Sequence, residues 1–184
     1  MIIGITGTLG AGKGTVAGYL VKKHNFLYLS IRNFFAEEVL KRGQAVTREN
    51  ITAVASALRA EHEQAYAVKE LLKRAGRGGH GVVIESIRTT AEAEYLKSQG
   101  AKLWCVDAPL ETRYKRFIGR AMPKDAVSFE EFTKKDKDDK DASDPTVQNL
   151  PRVCQMADAT INSGGTKDET FAEVEKALVA AGGV

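Results

Sequence analysis

The sequence predicts an α/β fold of three layers, in which one five-stranded parallel sheet lies between two layers of helices. Short apolar runs alternate with amphipathic stretches, which is the pattern of consecutive strand–helix–strand units. The first apolar run, Ile2–Thr6, leads directly into a glycine-rich stretch from Gly7 to Thr15. The length of 184 residues suits a single domain, so we treat 1–184 as one unit.

The predicted elements follow from apolar runs, capping residues and chain breakers. The strands are expected at 2–6, 26–30, 82–85, 102–107 and 159–162. A first helix runs from Lys13 to about His24, and two or three helices occupy 31–75 with a break at Gly43. Further helices are expected after the capping residues Thr89 and Glu92, from Pro109 to about Ala121, around 147–156, and from Thr166 and Glu169 to Ala181.

Composition excludes several classes of protein. The chain has 27 basic and 24 acidic residues and only 7% aromatic residues, which argues against a nucleic-acid partner. No apolar run approaches the roughly 20 residues of a membrane span, and no signal peptide is recognised. Cys105 and Cys154 fit no metal spacing and are predicted to be reduced thiols in a cytoplasmic protein. The choice between monomer and dimer stays open.

The stretch GTLGAGK, from Gly7 to Lys13, fits the pattern G-x-x-x-x-G-K. It follows a predicted strand and opens a predicted helix, which is the context that this phosphate-binding motif requires. Backbone N–H groups of such a turn converge on phosphate because glycine has no Cβ in the way. The helix N-terminus and the lysine add positive charge. The residues expected to hold the nucleotide are Gly10, Ala11, Gly12, Lys13, Gly14 and Thr15.

With these residues the chain resembles the P-loop kinases, and its GKGT sequence is similar to that of adenylate and related nucleoside monophosphate kinases. The usual Ser or Thr after the lysine is replaced by Gly14, with Thr15 next. The resemblance implies ATP and Mg²⁺ as cofactors, with the metal held largely through water. It also implies that Thr15 lies at the α-phosphate and close to the metal.

The stretch VVIESIR, from Val82 to Arg88, resembles the strand end that binds substrate in nucleoside monophosphate kinases. It is more similar still to archaeal and bacterial nucleotide kinases often described as dephospho-CoA-kinase-like. Glu85 is expected beside the first strand, where a carboxylate can orient water bound to Mg²⁺. Arg88 is expected to bind the acceptor phosphate and to act in catalysis.

Other arginines occupy positions that the resemblance links to substrate. Arg59 matches a substrate-side arginine of the archaeal-type branch. After the second strand the arginine of the family falls on Ala36 here, and Arg32, one turn earlier, is expected to take over its contact with the acceptor phosphate. Arg113, Arg116 and Arg120 recur at helical spacing, so they are expected on one face that a bound polyanion would stabilise. The resemblance implies that Arg116 stacks on the base and that Arg120 is catalytic in the closed state. The stretch ADATINSGGT resembles the ending of dephospho-CoA kinases, and this resemblance implies that Asn162 lies at the edge of the adenine.

The resemblance implies acceptor-binding helices at about 31–76 and a lid at about 121–145. The charged run at 134–145 is interpreted as a solvated face. The predicted activity is transfer of the γ-phosphoryl group of ATP to a small phosphorylated acceptor, a nucleoside or deoxynucleoside monophosphate. Two alternatives stay open. One is transfer to a hydroxyl, as in dephospho-CoA kinases; the other is a slow ATPase that switches a protein partner.

Overall fold

A single parallel sheet forms the centre of the molecule, with the strand order β2-β3-β1-β4-β5. A computed structural model describes residues 1–76, 81–119, 127–138 and 148–182. The strands are β1 (Ile2–Thr6), β2 (Leu27–Ser30), β3 (Val82–Glu85), β4 (Lys102–Asp107) and β5 (Ala159–Asn162). In the register Ile5 of β1 lies opposite Glu85 of β3 and Trp104 of β4. The carboxyl ends of β1 and β3 therefore meet at one edge of the sheet, where open α/β sheets bind ligands.

Helices connect the strands. Those within the described residues are α1 (Lys13–His24), α2 (Ile31–Lys41), α3 (Arg48–Glu61), α4 (Tyr66–Ala75), α5 (Thr90–Ser98), α6 (Leu110–Ile118), α7 (Phe129–Asp138), α8 (Leu150–Gln155) and α9 (Lys167–Ala180). The helix after Pro109 is shorter than predicted, because it ends at Ile118 rather than near Ala121. Pro151 stands in the first turn of α8, where its missing N–H leaves no helical hydrogen bond unmade. None of these helices is long and apolar enough to cross a membrane.

Alternate residues of the strands contribute to two separate cores, which confirms the three-layer prediction. Val82 and Ile84 of β3 pack in a core with apolar residues of α2, α3, α4 and α5. Val83, between them, faces the other side and packs with residues of α1 and α9. This alternation follows from the period of two along a strand. Because both faces of the central strands β1 and β3 are covered, these two strands are apolar except at their last residues, as buried parallel strands are.

Two capping boxes that the sequence predicts are present. The Thr89 hydroxyl accepts from the backbone N–H of Glu92, and the Glu92 carboxylate accepts in turn from the backbone N–H of Thr89. Thr166 and Glu169 form the same pair at the start of α9. Each box satisfies N–H groups that would otherwise lack partners at a helix start, so it fixes where the helix begins.

The two cysteines form a disulfide, so the prediction of reduced thiols is wrong. The bond joins Cys105 of β4 to Cys154 of α8, with 5.2 Å between their Cα atoms. Helix α8 packs against β1, β4 and α5, which brings the two residues within bridging distance although 49 positions separate them. The sequence offered no metal or disulfide spacing to signal this pairing.

Candidate active site

The glycine-rich loop between β1 and α1 folds around its own lysine. The Nζ atom of Lys13 donates to the carbonyl oxygens of Gly7 and Thr8, at 2.9 Å each. Gly7, Gly10 and Gly12 have φ values of 139°, 79° and 90°, which L side chains rarely adopt. Gly12 is the N-cap of α1 and has no side chain to cap it, so the first N–H groups of the helix can bind an anion.

The same loop is closely packed, and its residues fit a polyphosphate. A Cβ atom on Gly10 would lie 2.4 Å from the backbone oxygen of Arg113. The hydroxyl oxygen of Thr8 is buried and has no hydrogen-bond partner among the described residues, which is uncommon in a loop complete without a ligand. Thr15 is half-buried in the first turn of α1, and Gly14 is exposed. The loop therefore offers backbone donors and one lysine to a triphosphate.

Ser163, in the turn after β5, joins the loop to α6. Its hydroxyl donates to the carbonyl oxygen of Ala11 at 2.5 Å. Arg116 donates from Nη1 to that hydroxyl at 3.2 Å, and from Nη2 to the Ser163 carbonyl oxygen at 2.5 Å. The structure thus places Arg116 at the rim of the phosphate loop. Sequence reasoning did not single out Ser163, although the Asn-Ser-Gly-Gly turn that carries it was a usable signal.

Asn162 lies at the same edge of the sheet, exposed, at the end of β5. Its side-chain oxygen accepts from the backbone N–H of Gly164 at 2.9 Å, so it shapes the turn that holds Ser163. Its expected contact with adenine stays a prediction.

Glu85 lies at the end of β3 beside β1, as the sequence predicts. The hydroxyl of Tyr28, on the neighbouring strand β2, donates to its Oε2 atom at 2.5 Å. Burial and this bond to the carboxylate raise the pKa of Tyr28 to about 12, so the phenol stays protonated at neutral pH. The described residues hold no cluster of three or more His, Cys, Asp or Glu side chains suited to a metal. Thr15 and Glu85 carry oxygen atoms of the kind that Mg²⁺ binds, and their role in orienting the metal on a bound nucleotide stays a prediction.

A cavity of about 560 Å³ opens beside the phosphate loop, between that loop, α2, α3 and the segment after β3. Its apolar lining is supplied by Leu9, Ile31, Phe35, Ile51, Ala55 and Phe117. Its charged lining consists of Arg32, Arg48, Arg59 and Arg88. No carboxylate lines the cavity within the described part of the chain. Its chemistry therefore suits a small anion with an apolar portion.

The structure brings the three predicted acceptor-side arginines into this one cavity and adds a fourth. Arg32 is exposed in the first turn of α2. Arg88 donates from Nη1 to the side-chain oxygen of Gln148 at 2.6 Å. Arg48 opens α3 directly after the capping residue Thr47. Sequence reasoning missed Arg48 because nothing showed that the start of α3 faces α2.

Arg59 is not an ordinary exposed helix arginine. Its side chain is 9% exposed, and Nη2 donates to Oε1 of Glu92 at 2.8 Å. Its guanidinium carbon lies 5.1 Å from the centre of the Phe35 ring. The predicted substrate residue is thus also part of a buried ion pair that joins α3 to α5.

Arg113 corrects the predicted row of arginines. It does not share a free face with Arg116, because it is buried and its guanidinium donates twice to the carboxylate of Asp136 on α7. Asp136 is itself 7% exposed, so the interpretation of the charged run as a solvated face is wrong at this position. Arg120 and most of the predicted lid, at 121–126 and 139–145, lie outside the described residues.

The sheet order, the loop around Lys13 and the helices on both faces define an α/β fold of the P-loop kinase-like class. A family model described as AAA domain matches residues 3–140. A UPF0200 protein of Methanocaldococcus jannaschii is 31% identical over 140 residues, which are 74% of this chain and 71% of that protein. The chain therefore belongs to the AAA domain family and to the family of proteins named UPF0200.

Two further comparisons span nearly the whole chain. A UPF0200 protein of Thermococcus kodakarensis is 28% identical over 183 residues, covering 96% of this chain and 95% of that protein. The solved structure of shikimate kinase from Acinetobacter baumannii in complex with shikimate superposes with a TM-score of 0.62. It is 18% identical, and the match covers 98% of this chain and 93% of the other. At that identity the likeness concerns the fold.

Proposed function

We propose that the protein transfers the γ-phosphoryl group of ATP to a small phosphorylated acceptor, a nucleoside or deoxynucleoside monophosphate. The observation that carries this proposal is the cavity beside the phosphate loop, with its four arginines and, among its described lining residues, no carboxylate. Arginines bind phosphate through paired hydrogen bonds. A phosphate acceptor is already anionic, so no general base is needed to activate it.

On the donor side, residues 10–15 would hold the phosphates of ATP, with Lys13 supplying charge and Arg116 lying at the rim. Mg²⁺ would neutralise phosphate charge as it develops. On the acceptor side, Arg32, Arg59 and Arg88 would bind the acceptor phosphate. Because the cavity and the loop adjoin, catalysis would consist of positioning and charge neutralisation. In this proposal Arg120, on the helix that leads into the lid, stays a predicted catalytic residue.

Transfer to a hydroxyl is the second candidate, and the likeness to shikimate kinase favours it. Arginines could bind the carboxylate of a hydroxy acid as well as a phosphate. A hydroxyl acceptor, dephospho-CoA included, needs a base to take its proton. β2 ends at Ser30 and α2 begins with Ile31 and Arg32, so no carboxylate stands at the end of this strand. We therefore rank the monophosphate above the hydroxyl acceptor.

The test is an ADP-release assay with MgATP against a panel of acceptors. The panel holds AMP, CMP, UMP, GMP, their deoxy forms, dephospho-CoA and shikimate. One monophosphate turned over far above the basal rate would support the proposal. Turnover of dephospho-CoA or shikimate would favour the hydroxyl acceptor. A basal rate with every acceptor would contradict both and favour an ATPase that acts through a protein partner.

A further inference from the structure

The carboxylate of Glu92 is fully buried, and it accepts hydrogen bonds from two segments of the cavity wall. Its Oε1 atom accepts from Nη2 of Arg59 at 2.8 Å. Its Oε2 atom accepts from the backbone N–H of Arg88 at 2.9 Å and of Thr89 at 3.1 Å. A capping box needs only the bond from Thr89. The bonds from Arg59 and Arg88 are additional to what the start of α5 requires.

These additional bonds join parts of the chain that are distant in sequence. Arg59 lies on α3, 33 residues before Glu92, whereas Arg88 lies in the segment between β3 and α5. That segment also holds Ser86, which lines the cavity with a φ of 73°. A non-glycine residue keeps such a φ only where its surroundings fix it. Glu92 helps to fix the conformation at Ser86, because its carboxylate accepts a hydrogen bond from the backbone N–H of Arg88, two residues after Ser86.

The guanidinium of Arg59 is in contact with Glu92 and Phe35, and one of its N–H groups has no acceptor among the described residues. Glu92 binds Nη2, and the ring of Phe35 lies against the guanidinium. The Nε atom of Arg59 is buried and has no hydrogen-bond partner among the described residues. A buried N–H without an acceptor is uncommon in a completed site. Since Arg59 lines the cavity, an anionic ligand there would supply the missing acceptor.

We propose that Glu92 is a positioning residue that presents Arg59 and the segment of Arg88 together to one anionic group of the acceptor. This inference rests on the proposed function, in which that group is a phosphate. The Glu92 carboxylate supplies the counter-charge of the buried Arg59 guanidinium and orients it while the cavity is empty. The acceptor then meets a site that is already assembled, so less ordering opposes binding.

Glu92→Gln tests the inference, with Glu169→Gln as the matched control. Glutamine can still close a capping box, so both variants keep a helix start and lose one charge. Glu169 is exposed and caps α9, away from the cavity. The probe is ribose 5-phosphate, the part common to all ribonucleoside 5′-monophosphates. For Glu92→Gln we expect the Kd of ribose 5-phosphate to rise about tenfold or more, because a charge-assisted contact is lost. The Kd of ADP should not change. Glu169→Gln should match the wild type in both.

A double-mutant cycle separates positioning from loss of stability. Arg59→Met should weaken ribose 5-phosphate binding, and adding Glu92→Gln to it should cause little further loss. The double variant has no unpaired buried charge, so it is the form to measure if Glu92→Gln folds poorly. Additive losses would overturn the inference, since Glu92 would then not act through Arg59.

Failure of this inference can be told apart from failure of the proposed function. If the wild type phosphorylates a monophosphate and Glu92→Gln keeps the wild-type Kd for ribose 5-phosphate, the role of Glu92 is overturned alone. If the wild type neither binds ribose 5-phosphate nor phosphorylates any monophosphate of the panel, the proposed function is overturned, and the role of Glu92 with it.

Discussion

Arg113 and Asp136 form a two-pronged ion pair in which both side chains are almost fully buried. Nη1 and Nη2 of Arg113 donate to the two carboxylate oxygens of Asp136, at 2.5 and 3.0 Å. Nε donates to the carbonyl oxygen of Ala108, and Nη1 also approaches that of Leu9 at 3.4 Å. One guanidinium therefore connects the phosphate loop, the start of α6 and helix α7.

Asp136→Asn should lower the free energy of unfolding by about 3 kcal/mol, because it leaves the buried Arg113 without its counter-charge. Urea denaturation would measure the loss, and hydrogen exchange would show faster opening of α7. The control is Glu173→Gln, which removes a charge from an exposed pair with Lys176 and should change stability by less than about 0.5 kcal/mol. Equal urea midpoints for Asp136→Asn and the wild type would show that the ion pair does not hold α7.

Lys13→Ala should reduce phosphoryl transfer by about 100-fold or more, since the positive charge at the phosphates is lost. The fold should persist, because the lysine bonds to loop carbonyls rather than packing in either core. The measurement is ADP release with the best acceptor, together with thermal unfolding. Lys22→Ala, in the exposed last turn of the same helix, is the control. Wild-type turnover by Lys13→Ala would refute the phosphate role of the loop.

Glu85→Gln should shift the Mg²⁺ dependence of turnover to higher concentrations and lower the maximal rate, with little change in stability. The neutral amide keeps the size of the side chain but orients metal-bound water less well. A Mg²⁺ titration of the ADP-release rate measures the effect. Glu94→Gln, an exposed change on α5, serves as the control. If the Mg²⁺ titration of Glu85→Gln matches the wild type, Glu85 has no role in holding the metal.

The strands and the phosphate loop could be predicted because their signals are local. Each strand is a short apolar run between turn residues, and the motif ending at Lys13 is a fixed spacing in a strand–helix context. The helix starts at Thr89 and Thr166 could be predicted equally well, since a capping box is a local pattern of four residues.

The contacts that complete the site join residues far apart in sequence, and no local pattern announces them. Arg59 bonds to Glu92 across 33 positions, and Cys105 bonds to Cys154 across 49. Arg113 gave a misleading signal. Its helical spacing with Arg116 was real, but two residues three apart on a helix can differ widely in burial when another helix covers one of them.

The carboxylate of Glu175 should make the free energy of unfolding depend on pH between about pH 2 and 4.5, because its pKa is lower in the folded protein than in the unfolded chain. Hydrogen bonds from Tyr19, at 2.5 Å, and His24, at 2.8 Å, lower its pKa from 4.5 to about 2. Because the folded pKa is depressed, the stabilisation is complete above pH 4.5 and is lost as the pH falls towards 2. At pH 7 Glu175→Gln should be less stable by up to about 1 kcal/mol, and the difference should vanish near pH 2.

Urea denaturation of the wild type and Glu175→Gln at pH 7, 4 and 2 measures this dependence. Glu173→Gln, two residues earlier on α9, controls for the loss of one carboxylate. A difference between Glu175→Gln and the wild type that stays constant down to pH 2 would show that these hydrogen bonds do not depend on the Glu175 charge.

Reduction of the disulfide should lower the free energy of unfolding by about 4 kcal/mol. The bond restricts the unfolded chain by closing a loop between two residues that are 49 positions apart, and reduction removes this restriction. Thiol titration of the untreated protein should find no reactive cysteine, and dithiothreitol should lower the urea midpoint. The double variant Cys105→Ala/Cys154→Ala should be insensitive to dithiothreitol. Two free thiols in protein kept from reductant would contradict the bond.

The close contact between Gly10 and the backbone of Arg113 limits what substitutions the phosphate loop can accept. A Cβ atom on Gly7 would lie 2.2 Å from the backbone oxygen of Val106, whereas one on Gly14 would meet no described atom of another element within 4 Å. In a randomised library selected for activity, positions 7 and 10 should therefore return only glycine. Position 14 should accept alanine or serine, although all three glycines lie in the same glycine-rich stretch from Gly7 to Thr15.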